Sequence, residues 1–130
     1  MIKKELIEVP GLGDSSGYAY AQCAVAGDFV FVAGQTGVDE NYNVVSEEFG
    51  PQARQVLENV RLALEAAGSG FENIVTMTVY LTEMSFGREF LDIRKEVLGD
   101  TLAPSALVGG AQLAFPSLLI EIQATAVRSS

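Results

Sequence analysis

Apolar residues recur along the chain with two different periods, and each change of period marks a new element. Lys3 to Val9 alternates weakly and reads as a first strand. Pro10 to Gly17 has loop composition. Tyr18 to Val25 and Phe29 to Gly34 are two β-compatible runs around Gly27-Asp28, a hairpin pattern. Thr36 to Phe49 is polar, with a turn at Asp39-Glu40-Asn41. The period then lengthens. Ala53, Val56, Leu57, Val60, Ala63, Leu64 and Ala67 share one helical face, so the spacing predicts a helix over 51–67. Pro51 suits its first position and Gly68 its C-terminal cap. In Ile74 to Leu81 the period returns to two, with Val75, Met77, Val79 and Leu81 on one face and Thr76, Thr78 and Tyr80 on the other. Ser85 is placed to cap a second helix with Phe86, Phe90, Ile93 and Val97 as its apolar stripe, ended by Gly99. Two more strand-like runs follow, Pro104 to Leu113 and Leu118 to Val127, around a break at Pro116-Ser117.

The predicted order is β-β-β-α-β-α-β-β. Two amphipathic helices need a sheet to cover, which makes the chain an α+β two-layer sandwich, one domain over 1–130, with both helices on one face of a six-stranded sheet. The other face carries Thr76, Thr78, Tyr80, Glu121, Gln123 and Thr125 and must meet water or other subunits. Glu121 stands out because it interrupts Leu118-Leu119-Ile120-Glu121-Ile122. An ionised carboxylate is costly to bury without a partner. Either Glu121 lies on the wet face of a half-exposed strand, or it lines a pocket; periodicity allows both.

Composition narrows the chemistry. There is no histidine and one cysteine, Cys23, which reads as a small core hydrophobe. Nucleophile pairs that need histidine are excluded, and so are Cys/His zinc sites. No acidic spacing of the EF-hand kind appears, so no metal site is expected. A net charge of −9 with scattered basic residues argues against nucleic-acid binding. No apolar run is long enough to span a bilayer, and Glu5 and Glu8 interrupt any signal-like core, so no membrane partner and a cytoplasmic location are expected. The Gly109-Gly110 pair lacks the helix and lysine of a phosphate loop and reads instead as a bulge or a tight packing point.

Several segments together resemble the RidA/YjgF, or reactive intermediate deaminase, family. They are Tyr20-Ala21-Gln22, Phe31-Val32-Ala33-Gly34-Gln35, Gln52 to Val60, Leu64 to Gly68, Pro104 with Leu107-Val108-Gly109, and Ile120 to Ala124. The resemblance implies a chorismate mutase-like fold with a mixed sheet and a homotrimer with ligand clefts between subunits. It also implies hydrolysis of small imines or enamines to keto compounds and ammonia, without a cofactor. Glu121 would then be the catalytic carboxylate. Tyr20, Ala33, Gly34, Gln35, Ser105 and Leu107 would be the substrate-binding positions. In that family an arginine beside the proline clamps the substrate carboxylate. Here its position falls on Ser105 or Ala106, and no basic residue lies between Pro104 and Val127. Arg88 or Arg94 on the second helix is the remaining source of charge. The alternative is a trimer of the same fold that binds a small molecule without catalysis.

Overall fold

The computed structural model describes residues 1–129. Its strands are β1 (Lys4–Leu6), β2 (Cys23–Ala26), β3 (Phe29–Thr36), β4 (Ile74–Leu81), β5 (Ser105–Val108) and β6 (Ile120–Val127). The helices are α1 (Phe49–Ala66) and α2 (Gly87–Leu98). The strands form one sheet in the order β1-β2-β3-β6-β4-β5. β5 runs parallel to β4 and the other neighbours are antiparallel, so the sheet is mixed. The predicted α+β two-layer architecture is borne out.

One face of the sheet is closed by helices. Val56, Leu57, Val60, Ala63 and Leu64 of α1 are fully buried against Val30 and Val32 of β3 and Ile120 and Ile122 of β6. Phe90 and Ile93 of α2 complete this layer. Each Val, Leu, Ile or Phe of this layer contributes about 1.5–3 kcal/mol through burial. Cys23 is buried as expected, its Sγ 3.7 Å from the carbonyl of Ala63, and burial pushes the thiol's pKa up.

Two polar residues of α1 lie inside this apolar layer with their hydrogen bonds made. Gln52 donates through Nε2 to the carbonyls of Ser46 and Ser117, both at 2.8 Å, and its Oε1 accepts from Leu119 N–H at 2.9 Å. One side chain thus ties the loop before α1 to the loop before β6. Asn59 donates to the carbonyls of Thr36 and Val38 and accepts from Gln55.

Local differences from the sequence reading have identifiable causes. Tyr18 to Gln22 is not strand. A 3-10 turn at Ser16–Tyr18 is held by Asp14, which caps Ser16 N–H, and by Ser15, whose hydroxyl donates to the Tyr20 carbonyl at 2.6 Å. α1 starts at Phe49, which puts Pro51 third in the helix; the first turn tolerates proline because its N–H has no helical partner. Ser85 is not a helix cap. It sits in a 3-10 turn at Met84–Phe86, and Phe86 stacks on Phe49 with ring centroids 4.6 Å apart. Val75 is exposed and Ile74 is buried, because the β4–β6 register shifts between Ile74 and Thr76. β5 ends at Val108, so Gly109 and Gly110 belong to the following loop rather than to a bulge.

Candidate functional site

The uncovered face of the sheet is defined by cross-strand register, since paired residues share a face. Glu121 of β6 stands between Thr36 of β3 and Tyr80 of β4, and Tyr80 pairs with Val108 of β5. The neighbouring row runs Gln123, Thr78, Ala106. This face also exposes Phe29 and Phe31.

β3 carries one extra residue opposite β6: Val32 pairs with Ala124 and Gln35 with Ile122, so three steps on β3 match two on β6. Ala33 and Gly34 occupy this bulge. The Glu121 side chain folds over Gly34, where a Cβ would collide with Oε2 and stand 2.9 Å from Cδ. A side chain at position 34 would thus have to displace the Glu121 carboxylate. Its neighbour Ala33 donates its N–H to the Gln22 carbonyl at 2.9 Å. Glu121 is half-buried, and burial raises its carboxyl pKa. No hydrogen-bond or ion-pair partner of its carboxylate occurs among the described residues.

The other residues singled out from sequence divide into three groups. Gln35 is buried and its amide is engaged: Nε2 donates to Gln22 Oε1 at 2.9 Å and to the Ala33 carbonyl at 3.0 Å. It holds the bulge in place. Tyr20 is 43% exposed and lies against Tyr42, whose hydroxyl accepts from Gln22 Nε2 at 3.3 Å. Burial, with Tyr20 adding to it, pushes the Tyr42 hydroxyl up to about 12.

Ser105 and Leu107 are the third group, and the structure does not bring them to Glu121. Ser105 pairs with Met77 and Leu107 with Val79, both buried on the helix side. The β5 residues that share the face of Glu121 are Ala106 and Val108. Arg94 of α2 follows Ser105 to the helix side, where its Nη1 donates to Ser105 Oγ at 2.9 Å. The β4–β5 register is the signal that resolves this, and β5 alone, with four exposed residues, does not contain it.

The Endoribonuclease L-PSP family model matches residues 15–128. The chain belongs to that family. The RidA/YjgF resemblance read from the sequence is the same assignment. A RutC family protein of Pyrococcus horikoshii is 34% identical over 110 residues, covering 84% of this chain and 86% of its own. The 2-iminobutanoate/2-iminopropanoate deaminase of Salmonella typhimurium is 39% identical over 66 residues, covering 51% of this chain and 52% of its own. The crystal structure of a Thermotoga maritima protein is similar at a TM-score of 0.90 and 30% identity, over 98% of this chain and 100% of that one. Within this L-PSP domain, no cluster of three or more Cys, Asp or Glu among the described residues could hold a metal ion. No helix among them is long and apolar enough to cross a membrane.

Proposed function

We propose that this L-PSP protein hydrolyses a small imine or enamine at Glu121, in a cleft completed by neighbouring subunits of a homotrimer. The observation that carries the reading is the carboxylate itself: half-buried, given room by Gly34, and without a hydrogen-bond or ion-pair partner among the described residues. Water adds to the C=N carbon while the Glu121 carboxylate takes a proton from it. The proton passes to nitrogen and gives a carbinolamine; the carbinolamine hydroxyl proton then follows through Glu121 to nitrogen as C=O forms and the C–N bond breaks, and the products are a carbonyl compound and ammonia. A carboxyl with raised pKa suits both halves of this proton transfer. Among relatives, the Salmonella protein is named for such a reaction. The exposed Phe29, Phe31 and Val108 support a subunit interface on the same face.

The substrate is proposed to lack a carboxylate near the reacting carbon. Thr36, Thr78, Tyr80, Ala106, Val108 and Gln123 surround Glu121 on its face, and none is basic. An imino acid would bring a second negative charge beside Glu121, whereas a neutral imine or its protonated iminium is attracted or tolerated. Missing one charge-assisted clamp weakens a carboxylate substrate by roughly ten- to a hundredfold. The net charge of −9 weighs against an RNA substrate.

Ammonia release from a panel of imino acids and uncharged imines tests the proposal. Wild type should favour the uncharged members, and Glu121→Ala should lose about 10²- to 10⁴-fold, the usual share of general acid–base catalysis. No turnover above the buffer rate across the panel would remove the enzyme reading. The non-catalytic binder would then stand, recognisable by a ligand that raises the melting temperature and is recovered unchanged.

A further inference from the structure

A separate cavity of about 220 Å³ lies at the C-terminal end of α2, beside the loop that leads into β5. Leu98 is its buried apolar wall, with Leu91 and the exposed Leu102 at its rim, and Arg94 and Lys95 are its only charged lining residues among those described. The chain has 17 acidic and 8 basic residues, so a cavity with two cations and no carboxylate runs against the overall balance. A cavity along the side of α2 that meets the first turns of α1 shows the contrast. There Glu89, Asp92 and Glu96 surround Arg54, and Arg54 is paired with Glu96.

Arg94 is half-buried and its charge is unanswered by any carboxylate among the described residues. Its one hydrogen-bond partner among them is the neutral hydroxyl of Ser105. That bond holds Nη1 and so fixes the plane of the guanidinium, leaving its other N–H groups free. Burial lowers the Arg94 pKa, in keeping with a desolvated cation. Lys95 lies in the last turn of α2, where a cation also answers the helix's terminal carbonyls, which leaves Arg94 as the anchor for an anion.

We propose that this cavity binds a small aliphatic monocarboxylate, with Arg94 clamping the carboxylate and the tail lying against Leu98 and Leu91. A planar guanidinium holds a carboxylate through two parallel hydrogen bonds, which a phosphate without a tail would match only in part. The site stands on the opposite face of the sheet from Glu121 and does not depend on the proposed chemistry there.

Calorimetric titration with hexanoate, hexanamide and inorganic phosphate tests it on the intact protein. Hexanoate should bind saturably, and hexanamide and phosphate about tenfold or more weakly. Arg94→Gln should weaken hexanoate by a similar factor, while Glu121→Gln leaves it unchanged. Absence of saturable hexanoate binding overturns the proposal. So does hexanamide binding as tightly as hexanoate, phosphate doing so, or hexanoate binding that survives Arg94→Gln. Should Arg94→Gln fail to fold, the hexanoate-to-hexanamide ratio in wild type decides alone. Loss of affinity in Glu121→Gln would move the ligand to the other face and overturn the assignment.

Discussion

Two polar side chains in this molecule each lie against a glycine, one on either face of the sheet. Gln52 packs its Cβ and Cγ against Gly37, where an added Cβ would come within 2.8 Å of both and 3.1 Å of the Gln52 backbone. Glu121 lays the far end of its side chain over Gly34. Gln52 is fully buried and satisfied by three backbone partners from two loops. Glu121 is half-buried and has none among the described residues. A buried polar group with every bond made specifies structure, because each partner would be orphaned without it. A half-buried charge without a partner adds nothing to the fold and keeps its lone pairs for something else. Partners, rather than burial, set the two side chains apart.

Breaking the Gln52 side should cost most. Gln52→Leu leaves two carbonyls and one N–H without their partner, and urea unfolding should report a loss of about 3 kcal/mol. The two glycines then sharpen the contrast. Gly37→Ala meets the helix backbone, which cannot swing away, and should destabilise by about 1–3 kcal/mol. Gly34→Ala meets only the end of a flexible side chain. Its stability should change by less than about 1 kcal/mol. Its ammonia release should nevertheless fall with that of Glu121→Ala, and the double variant should lose no more than Glu121→Ala alone.

The smallest effect is a dependence on pH. Burial raises the Glu121 carboxyl, so the native state holds this proton to higher pH than the unfolded chain does. The stability this lends is complete below the ordinary glutamate range and is lost as pH rises through the native value. Glu121→Gln should therefore melt higher than wild type at neutral pH, on the order of a few degrees or less. The difference should close in acid. An equal gain at all pH values would mean that the carboxyl is not perturbed by burial.

The layering was legible in the sequence because each helix and most strands kept one period throughout their length. α1 is the clearest case: its predicted apolar positions from Ala53 to Ala67 are all buried. Glu121 was also legible as an anomaly, a charge between Ile120 and Ile122. What escaped was register. The Val32–Gln35 bulge makes Gly34 the floor beneath Glu121; a glycine at a strand end allows a backbone bend or a close approach, but the β3 sequence does not say which group approaches. The same holds for β5. Its four residues, Ser105-Ala106-Leu107-Val108, show no alternation, so only their pairing with Met77 to Tyr80 tells that Ala106 and Val108, not Ser105 and Leu107, share the face of Glu121. Tyr18 to Gln22 misled for another reason. Its aromatic residues suit a strand, but Asp14 and Ser15 offered the backbone a local alternative.

The parallel pairing of β5 with β4 has a consequence for how such a protein can change. α2 and the short loop from Gly99 to Pro104 set the phase at which β5 arrives. Removing or adding one residue in that loop would turn Ser105 and Leu107 toward Glu121 and send Ala106 and Val108 to the helices. An entire rank of side chains on the Glu121 face is therefore exchangeable by a single indel in a surface loop, with β6 untouched. The lining of this face can evolve by counting residues as well as by replacing them.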